Sequence, residues 1–277
     1  MINTEKLPEY TAVMSVYSGE KPEFLRQSLT SMLTQTHPCR ELILVCDGEL
    51  TPELDNIIAE LCAKHSELHV VRSKSSRGVG ACVNAALRRA KTEYIVKMDS
   101  DDISLPDRCE RQLRYLAEHP ETDMLGSFIE EFDSDSGEQI AQRRTPLTHS
   151  EIVQFAKRRN PFNNQTLVYK RSAAIRAGGY TTVRRCEDYE FVVRMLMSGA
   201  IGANLPEVLV RYRVTKQNLT RRRNLNNTIS FIAVRWHIHT KGFSSLTDLL
   251  VPCAAQLLLF MLPQRLTGLF YRKLLRK

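Results

Sequence analysis

Residues 94–102 read Tyr-Ile-Val-Lys-Met-Asp-Ser-Asp-Asp. Tyr94 to Met98 is a short, mostly apolar run of the kind that forms a buried strand, and three carboxylates follow it within four positions. Upstream lie three more such runs: Thr11 to Tyr17 (TAVMSVY), Glu41 to Cys46 (ELILVC) and Leu68 to Arg72. Helical patterns separate them. One opens at Lys21-Pro22-Glu23, keeps Leu25, Leu29, Met32 and Leu33 in phase, and is closed by Pro38. A second, Pro52 to Lys64, has Leu54, Ile57, Ile58 and Leu61 on one face, and a third spans Gly78 to Ala90. Strand and helix thus alternate as βαβαβαβ. This alternation implies an α/β fold, with a mainly parallel, Rossmann-like sheet flanked by helices on both faces. Ligands of such sheets bind beyond the carboxyl ends of the strands. Asp47 and Asp99 each directly follow a strand end, so both fall on that edge.

Downstream, the pattern predicts a helix over Pro106 to Glu118, a strand near Met124 to Phe132 and a turn at Asp133 to Gly137. A helix over Thr148 to Lys157, a strand over Gln165 to Lys170, a helix over Glu187 to Ser198 and a short strand over Val208 to Val214 follow. The remainder reads as helical. Leu249 to Leu262 (LLVPCAAQLLLFML) is 14 residues long and is interrupted only by Pro252 and Gln256. A membrane-spanning helix needs about 20 apolar residues. With Arg265, Arg272, Lys273, Arg276 and Lys277 behind it, the segment reads as lying in a membrane interface. The alternative is a terminal helix packed on the core or on a partner chain.

The 277 residues are 43% apolar and 25% charged, which suits a globular core. The net charge of +8 suits a nucleic acid, an anionic membrane or a phosphorylated ligand. Arg221, Arg222 and Arg223 form one basic run, and no acid follows Asp248. Seven cysteines, an odd number without a CxxC pair, read as reduced packed thiols. No Cys/His pair has zinc-ligand spacing. Residues 1–12 are too polar for a signal peptide, so the expected location is the cytoplasm.

Asp99, Asp101 and Asp102 carry the chemistry. Carboxylates this close repel one another, and burying them near a sheet edge is costly without a cation. A divalent metal supplies that charge and can bridge to diphosphate oxygens. The alternative is a solvated acidic turn or a helix N-cap before Pro106. The preceding buried strand favours the metal. Glu187-Asp188 opens a helical run, where acids complement the helix dipole. In a functional reading Asp188 is a general base that takes the proton of an attacking hydroxyl. On these two residues alone, the dipole reading is the better one. Arg77-Gly78-Val79-Gly80 looks like a phosphate cradle, but Val83 stands where a dinucleotide fingerprint needs glycine. The histidines form no triad or ligand pattern.

Taken in order, these motifs resemble the family 2 glycosyltransferases, which have the GT-A fold. The resemblance covers about residues 10–215 and rests on Ser15-Val16-Tyr17, residues 29–36 (LTSMLTQT), residues 41–48 (ELILVCDG) and Arg77-Gly78 leading into Asn84. It continues with residues 98–102 (MDSDD), Leu105-Pro106-Asp107-Arg108, Gln112, Gly178-Gly179-Tyr180 and Glu187-Asp188. It is nearest to bacterial enzymes that build exopolysaccharide or O-antigen repeat units, including the amylovoran type.

The resemblance implies roles. Asp47 would accept a hydrogen bond from the nucleobase, Val16 and Tyr17 would line the base pocket, and Arg77 would approach the base. Asp99 would contact the ribose or the metal. Asp101 would ligate Mg²⁺ or Mn²⁺, with Asp102 in support. Asp188 would be the catalytic base of an inverting single displacement, and Arg213 would pair with diphosphate, in competition with Arg211, Lys216 and Arg221. The QxxRW signature of processive relatives is absent, which implies one sugar per acceptor. The implied donor is a nucleotide sugar, UDP-linked as the commonest case. The implied acceptor is a growing surface-polysaccharide unit on a polyprenyl diphosphate.

The expected organisation is a GT-A catalytic domain at 1–215 and a helical, basic extension at 216–277, whose residues 246–277 meet the inner face of the cell membrane. An oligomer is left open, and no nucleic acid is expected. A sugar-phosphate nucleotidyltransferase would want a glycine-rich loop after the first strand, where SVYSGEKPEF offers one glycine. A non-enzymatic basic membrane or nucleic-acid binder would leave MDSDD and Glu187-Asp188 without a role.

Overall fold

The computed structural model describes residues 7–181, 183, 185–215 and 225–261. Its first half is a four-stranded parallel sheet of β1 (Tyr10–Val16), β2 (Glu41–Cys46), β3 (Leu68–Arg72) and β4 (Tyr94–Asp99), in the order β3-β2-β1-β4. All six positions of β2 are buried. A strand covered on both faces needs apolar residues at every position, which is why ELILVC is nearly unbroken. On one face, α1 (Pro22–Leu33) and α2 (Pro52–Lys64) bury Leu25, Leu29, Leu54 and Ile58 in one cluster with Met14 and Leu44. On the other, α3 (Val79–Leu87) sets Val83 and Ala86 in a second cluster with Val13 and Ile43. Both α1 and α2 carry proline in the first turn, where the missing N–H has no helical partner to lose.

Beyond β4 the sheet becomes mixed. The remaining elements are β5 (Ile103–Ser104), α4 (Arg108–Glu118), β6 (Met124–Asp133), β7 (Gln139–Arg143), α5 (His149–Ala156), β8 (Val168–Lys170), α6 (Arg171–Arg176), α7 (Glu187–Met197) and β9 (Gly202–Val214). β8 pairs antiparallel with both β4 and β6, β6 runs parallel to β9, and β5 and β7 complete the edges. The helix at 149–156 starts as its sequence implies, with Thr148 and Glu151 forming a reciprocal capping box.

Four elements depart from expectation. β9 begins at Gly202, not Val208. Leu205 pairs with Ser127 and Val208 with Phe128, so Pro206 and Glu207 are passed over in the ladder. A proline cannot donate to a ladder, and the strand reads as broken there. β5 has two residues, β7 is a polar, largely exposed pentapeptide, and α6 has six residues. None of these three carries a clear period.

The chain closes with α8 (Leu225–Thr240) and α9 (Leu246–Met261), which pack on each other, while α8 also packs on α7. Most of the expected interfacial segment lies in α9. Among the described residues, no helix is long and apolar enough to cross a membrane. Lys216, Arg221–Arg223 and the basic residues after 262 lie outside the described residues.

Candidate active site

β1, β2 and β4 end side by side, with Val16 paired to Cys46 and Ser15 to Asp99. Their following loops therefore present Tyr17, Asp47 and Ser100 on one sheet edge. Tyr17 is 39% exposed, but the Val16 side chain is buried in the core. At Val16 only the carbonyl reaches the edge, where it accepts from the Asp47 N–H at 2.8 Å. Val16 thus has its side chain in the core cluster shared with Leu25 and Leu29 and offers the edge its backbone.

Asp47 organises the loop before α3. Its carboxylate accepts from Arg77 N at 2.7 Å, Gly78 N at 3.0 Å and Ser76 Oγ at 2.9 Å. Burial opposes its ionisation, yet these donors outweigh it and hold the pKa below the usual range. The amides that looked like a phosphate cradle are therefore satisfied by Asp47. The Arg77 side chain stays exposed beside them.

The acidic loop is pinned from behind. Ser28 Oγ donates to the Asp99 carbonyl at 2.7 Å. Arg213 N donates to Asp102 Oδ1 at 2.8 Å, and the Arg213 guanidinium donates to the Asp101 carbonyl at 2.7 Å and to Gln27 Oε1 at 2.6 Å. That guanidinium stacks against the rings of Phe24 and Phe132, at 4.0 and 4.8 Å. Arg213 thus holds the backbone of the acidic loop. β9 places Arg213 opposite Phe132 of β6, two residues beyond the β5 pairing. Deeper still, the wholly buried Arg108 donates to the Lys97 carbonyl at 2.8 Å and to Gln112 Oε1 at 2.9 Å. This explains the Arg108 and Gln112 spacing: the pair braces β4 against the segment ending at Thr166, whose carbonyl accepts from Gln112 at 2.8 Å.

The electrostatics of the loop suit a cation. Burial, then Asp99, then Glu20 push the Asp101 pKa up to about 7. Burial and the Asp101 and Asp99 charges push Asp102 well above the carboxylate range, and its Oδ2 is buried without a hydrogen-bond partner. Among the described residues no three acid, imidazole or thiol groups converge on one metal position. Mg²⁺ seldom uses an all-protein cage; it takes one or two carboxylates together with substrate phosphates. Acids whose proton affinity is raised by burial and by one another fit that pattern.

Asp99 is joined to a residue that the sequence reading passed over. Its carboxylate forms an ion pair with Lys97, whose side chain is 3% exposed. Period two along β4 puts both on the face that α7 covers. Burial, then Asp188, raise the Glu187 pKa to about 7, and Lys97 pulls it back. The buried Tyr180 phenol is pushed up by burial, then Tyr169, then Asp188, Asp99 and Glu187. The acidic strand end and the first turn of α7 thus share one electrostatic field. Asp188 Oδ2 accepts from Asn160 Nδ2 at 3.1 Å. Cys186, the residue before the pair, has φ 62°, a left-handed conformation that a side chain rarely adopts.

The loop into α7 is held at both ends. Asn84 donates to the Tyr180 carbonyl at 2.7 Å and accepts from its N–H at 2.8 Å. Arg194 Nη2 donates to the Gly179 carbonyl at 2.5 Å, and its Nε to Glu190 at 2.5 Å. Gly179 has φ +66°, and a Cβ there would lie 2.6 Å from Asn84 Oδ1, so both conformation and space require glycine. Lys97 could have been noticed as the one charge in an apolar strand. Asn160 carries no sequence signal beyond its proline neighbour.

Acids at the carboxyl edge of a parallel sheet lie where α/β enzymes bind their ligands. The chain belongs to glycosyl transferase family 2, whose model matches residues 11–185. It is 36% identical to the amylovoran biosynthesis glycosyltransferase AmsE of Erwinia amylovora, over 78% of this chain and 80% of that one. It is 27% identical to the Escherichia coli UDP-Gal:alpha-D-GlcNAc-diphosphoundecaprenol beta-1,3-galactosyltransferase, over 99% of each. The S. aureus TarS 1–349 structure in complex with UDP-GlcNAc superposes with a TM-score of 0.69 at 16% identity, covering 96% of this chain and 76% of that one. The chain spans 50% of a longer TarS structure. The protein is a glycosyltransferase with a GT-A-like mixed α/β sheet.

Proposed function

We propose that this glycosyltransferase moves one sugar, with inversion, from a UDP-sugar to a polyprenyl-diphosphate-linked acceptor during the assembly of a bacterial surface polysaccharide. The observation that carries the mechanism is Asp188, held by Asn160 at 3.1 Å in the first turn of α7, with Asp188 and Asp99 both acting on the buried Tyr180 phenol. In this reading Tyr17, Asp47 and Arg77 flank the nucleoside, and Asp99 faces its ribose. Asp188 takes the proton of the acceptor hydroxyl as that oxygen bonds to the anomeric carbon. The bond to the diphosphate breaks, and its electron pair leaves with the UDP. A divalent cation at Asp101, with Asp99 and Asp102 in support, would offset the charge of the departing diphosphate.

The E. coli relative's name states a UDP-linked donor and a diphosphoundecaprenol-linked acceptor, which supports the donor and acceptor classes, and the Erwinia relative's name states amylovoran biosynthesis. Residues 1–215 form the catalytic unit and 216–277 the extension. The apolar outer face of α9, with Leu250, Val251, Leu257 and Leu258 exposed, supports contact with the inner face of the membrane. A donor screen tests the reading: UDP-, GDP- and dTDP-sugars with and without Mn²⁺, read by thermal stabilisation and hydrolysis. UDP-sugars should stabilise the protein most. Asp101→Ala and Asp188→Ala should abolish transfer in folded protein, and near-wild-type turnover in both would sink the mechanism.

A further inference from the structure

Asp188 sits where two segments meet, and a residue of the C-terminal helix pair holds them together. One segment is the first turn of α7. The other is the stretch from Ala156 to Phe162, which carries Asn160. The Phe162 N–H donates to Asn160 Oδ1 at 3.1 Å. This bond assigns the oxygen of the carboxamide and leaves its NH₂ group aimed at Asp188.

Arg235 of α8 spans both segments. Its Nη1 donates to the Tyr189 hydroxyl at 3.1 Å, one residue beyond Asp188. Its Nη2 donates to the Arg158 carbonyl at 2.5 Å, two residues before Asn160. The Tyr189 hydroxyl donates in turn to the Ala156 carbonyl at 2.7 Å. The guanidinium is 5% exposed as a residue and lies over the rings of Phe231 and Tyr189, at 4.1 and 5.0 Å. A second tie joins the same segment to α9: Arg158 Nε donates to Asp248 Oδ1 at 2.6 Å. A planar cation with fixed donors suits such a bridge, because it fixes the angle between its acceptors as well as their separation.

We infer that Arg235 and Asn160 are positioning residues for the Asp188 base, so that the C-terminal helix pair is part of the catalytic apparatus and not only an attachment. The inference rests on the base reading above. Arg235 acts through the segment bearing Asn160, and Asn160 acts through Asp188. Neither touches the edge where β1, β2 and β4 end, so donor binding is independent of both.

The test uses the full chain, with the donor that the screen selects. Arg235→Met and Asn160→Ala should each lower kcat by about tenfold or more, as expected when a reacting group is displaced by a fraction of an ångström. UDP affinity by calorimetry should be unchanged. The double variant should lose no more than the worse single one, because both losses run through one carboxylate. Arg235→Lys keeps the buried charge but cannot reach both acceptors; it serves if the methionine variant does not fold. Wild-type kcat in the single variants, losses that multiply in the double, or UDP affinity falling in step with kcat would each overturn the inference. Asp188→Asn separates the two ideas: full activity there removes the base reading itself.

Discussion

Replacing Glu187 with glutamine should stabilise the protein above neutral pH and leave it unchanged in acid. Burial, and then the Asp188 charge, raise the Glu187 pKa from 4.5 to about 7. Between those values the folded chain keeps a proton that the unfolded chain has released, so stability falls as pH rises through that window. The window is 2.5 pH units wide, the difference between 7 and 4.5. At 1.36 kcal/mol per unit, ionising Glu187 in the folded state costs about 3 kcal/mol, an upper figure because the group is part-solvated. Glutamine fills the same space and never ionises. The variant should therefore match wild type below pH 4.5, gain steadily through the window, and lead by about 2–3 kcal/mol above pH 7. Urea unfolding followed by circular dichroism at a series of pH values measures this directly. A gap that does not change with pH, or a wild type that is the more stable above neutrality, refutes the idea that Glu187 and Asp188 crowd one buried position.

Gly179→Ala should destabilise the fold by about 2–4 kcal/mol in the same assay, from left-handed backbone strain plus the displaced Asn84 bridge. Replacing Leu250, Val251, Leu257 and Leu258 with serine should leave the melting temperature nearly unchanged, since all four are exposed. It should weaken sedimentation with anionic vesicles by about a hundredfold or more, given about 1.5 kcal/mol for each such side chain that enters lipid. Unchanged sedimentation removes the interfacial face.

The parallel half of the sheet was legible because β1, β2 and β4 are covered on both faces and need unbroken apolar runs. Their ends then located Asp47 and Asp99 by topology alone. Side-chain direction was less legible. Val16 has its side chain in the core, and the Arg213 guanidinium donates to the backbone of the acidic loop, neither of which the sequence announces. The place of Arg213 depends on β9, whose pairing with β5 and β6 joins residues far apart in sequence. Arg235 could not be read at all, since nothing in a helix marks which arginine will find a phenol and a carbonyl.

The charges explain why so many of these residues share one place. Glu20, Asp99, Asp101, Asp102, Glu187 and Asp188 crowd the edge and the facing helix. The buried cations near them are Lys97, Arg108 and Arg213. Among the described residues the acids thus outnumber the buried cations. Burial and the neighbouring carboxylates raise the proton affinities of Asp101 and Glu187, although Arg213 and Arg185 respectively pull them back. A diphosphate arriving alone would add negative charge to this deficit. One arriving with a divalent cation would reverse it at Asp101 and Asp102. On that reading the protein should bind UDP more tightly with a divalent cation than without one, and the Lys97–Asp99 ion pair holds the end of β4 beside that position.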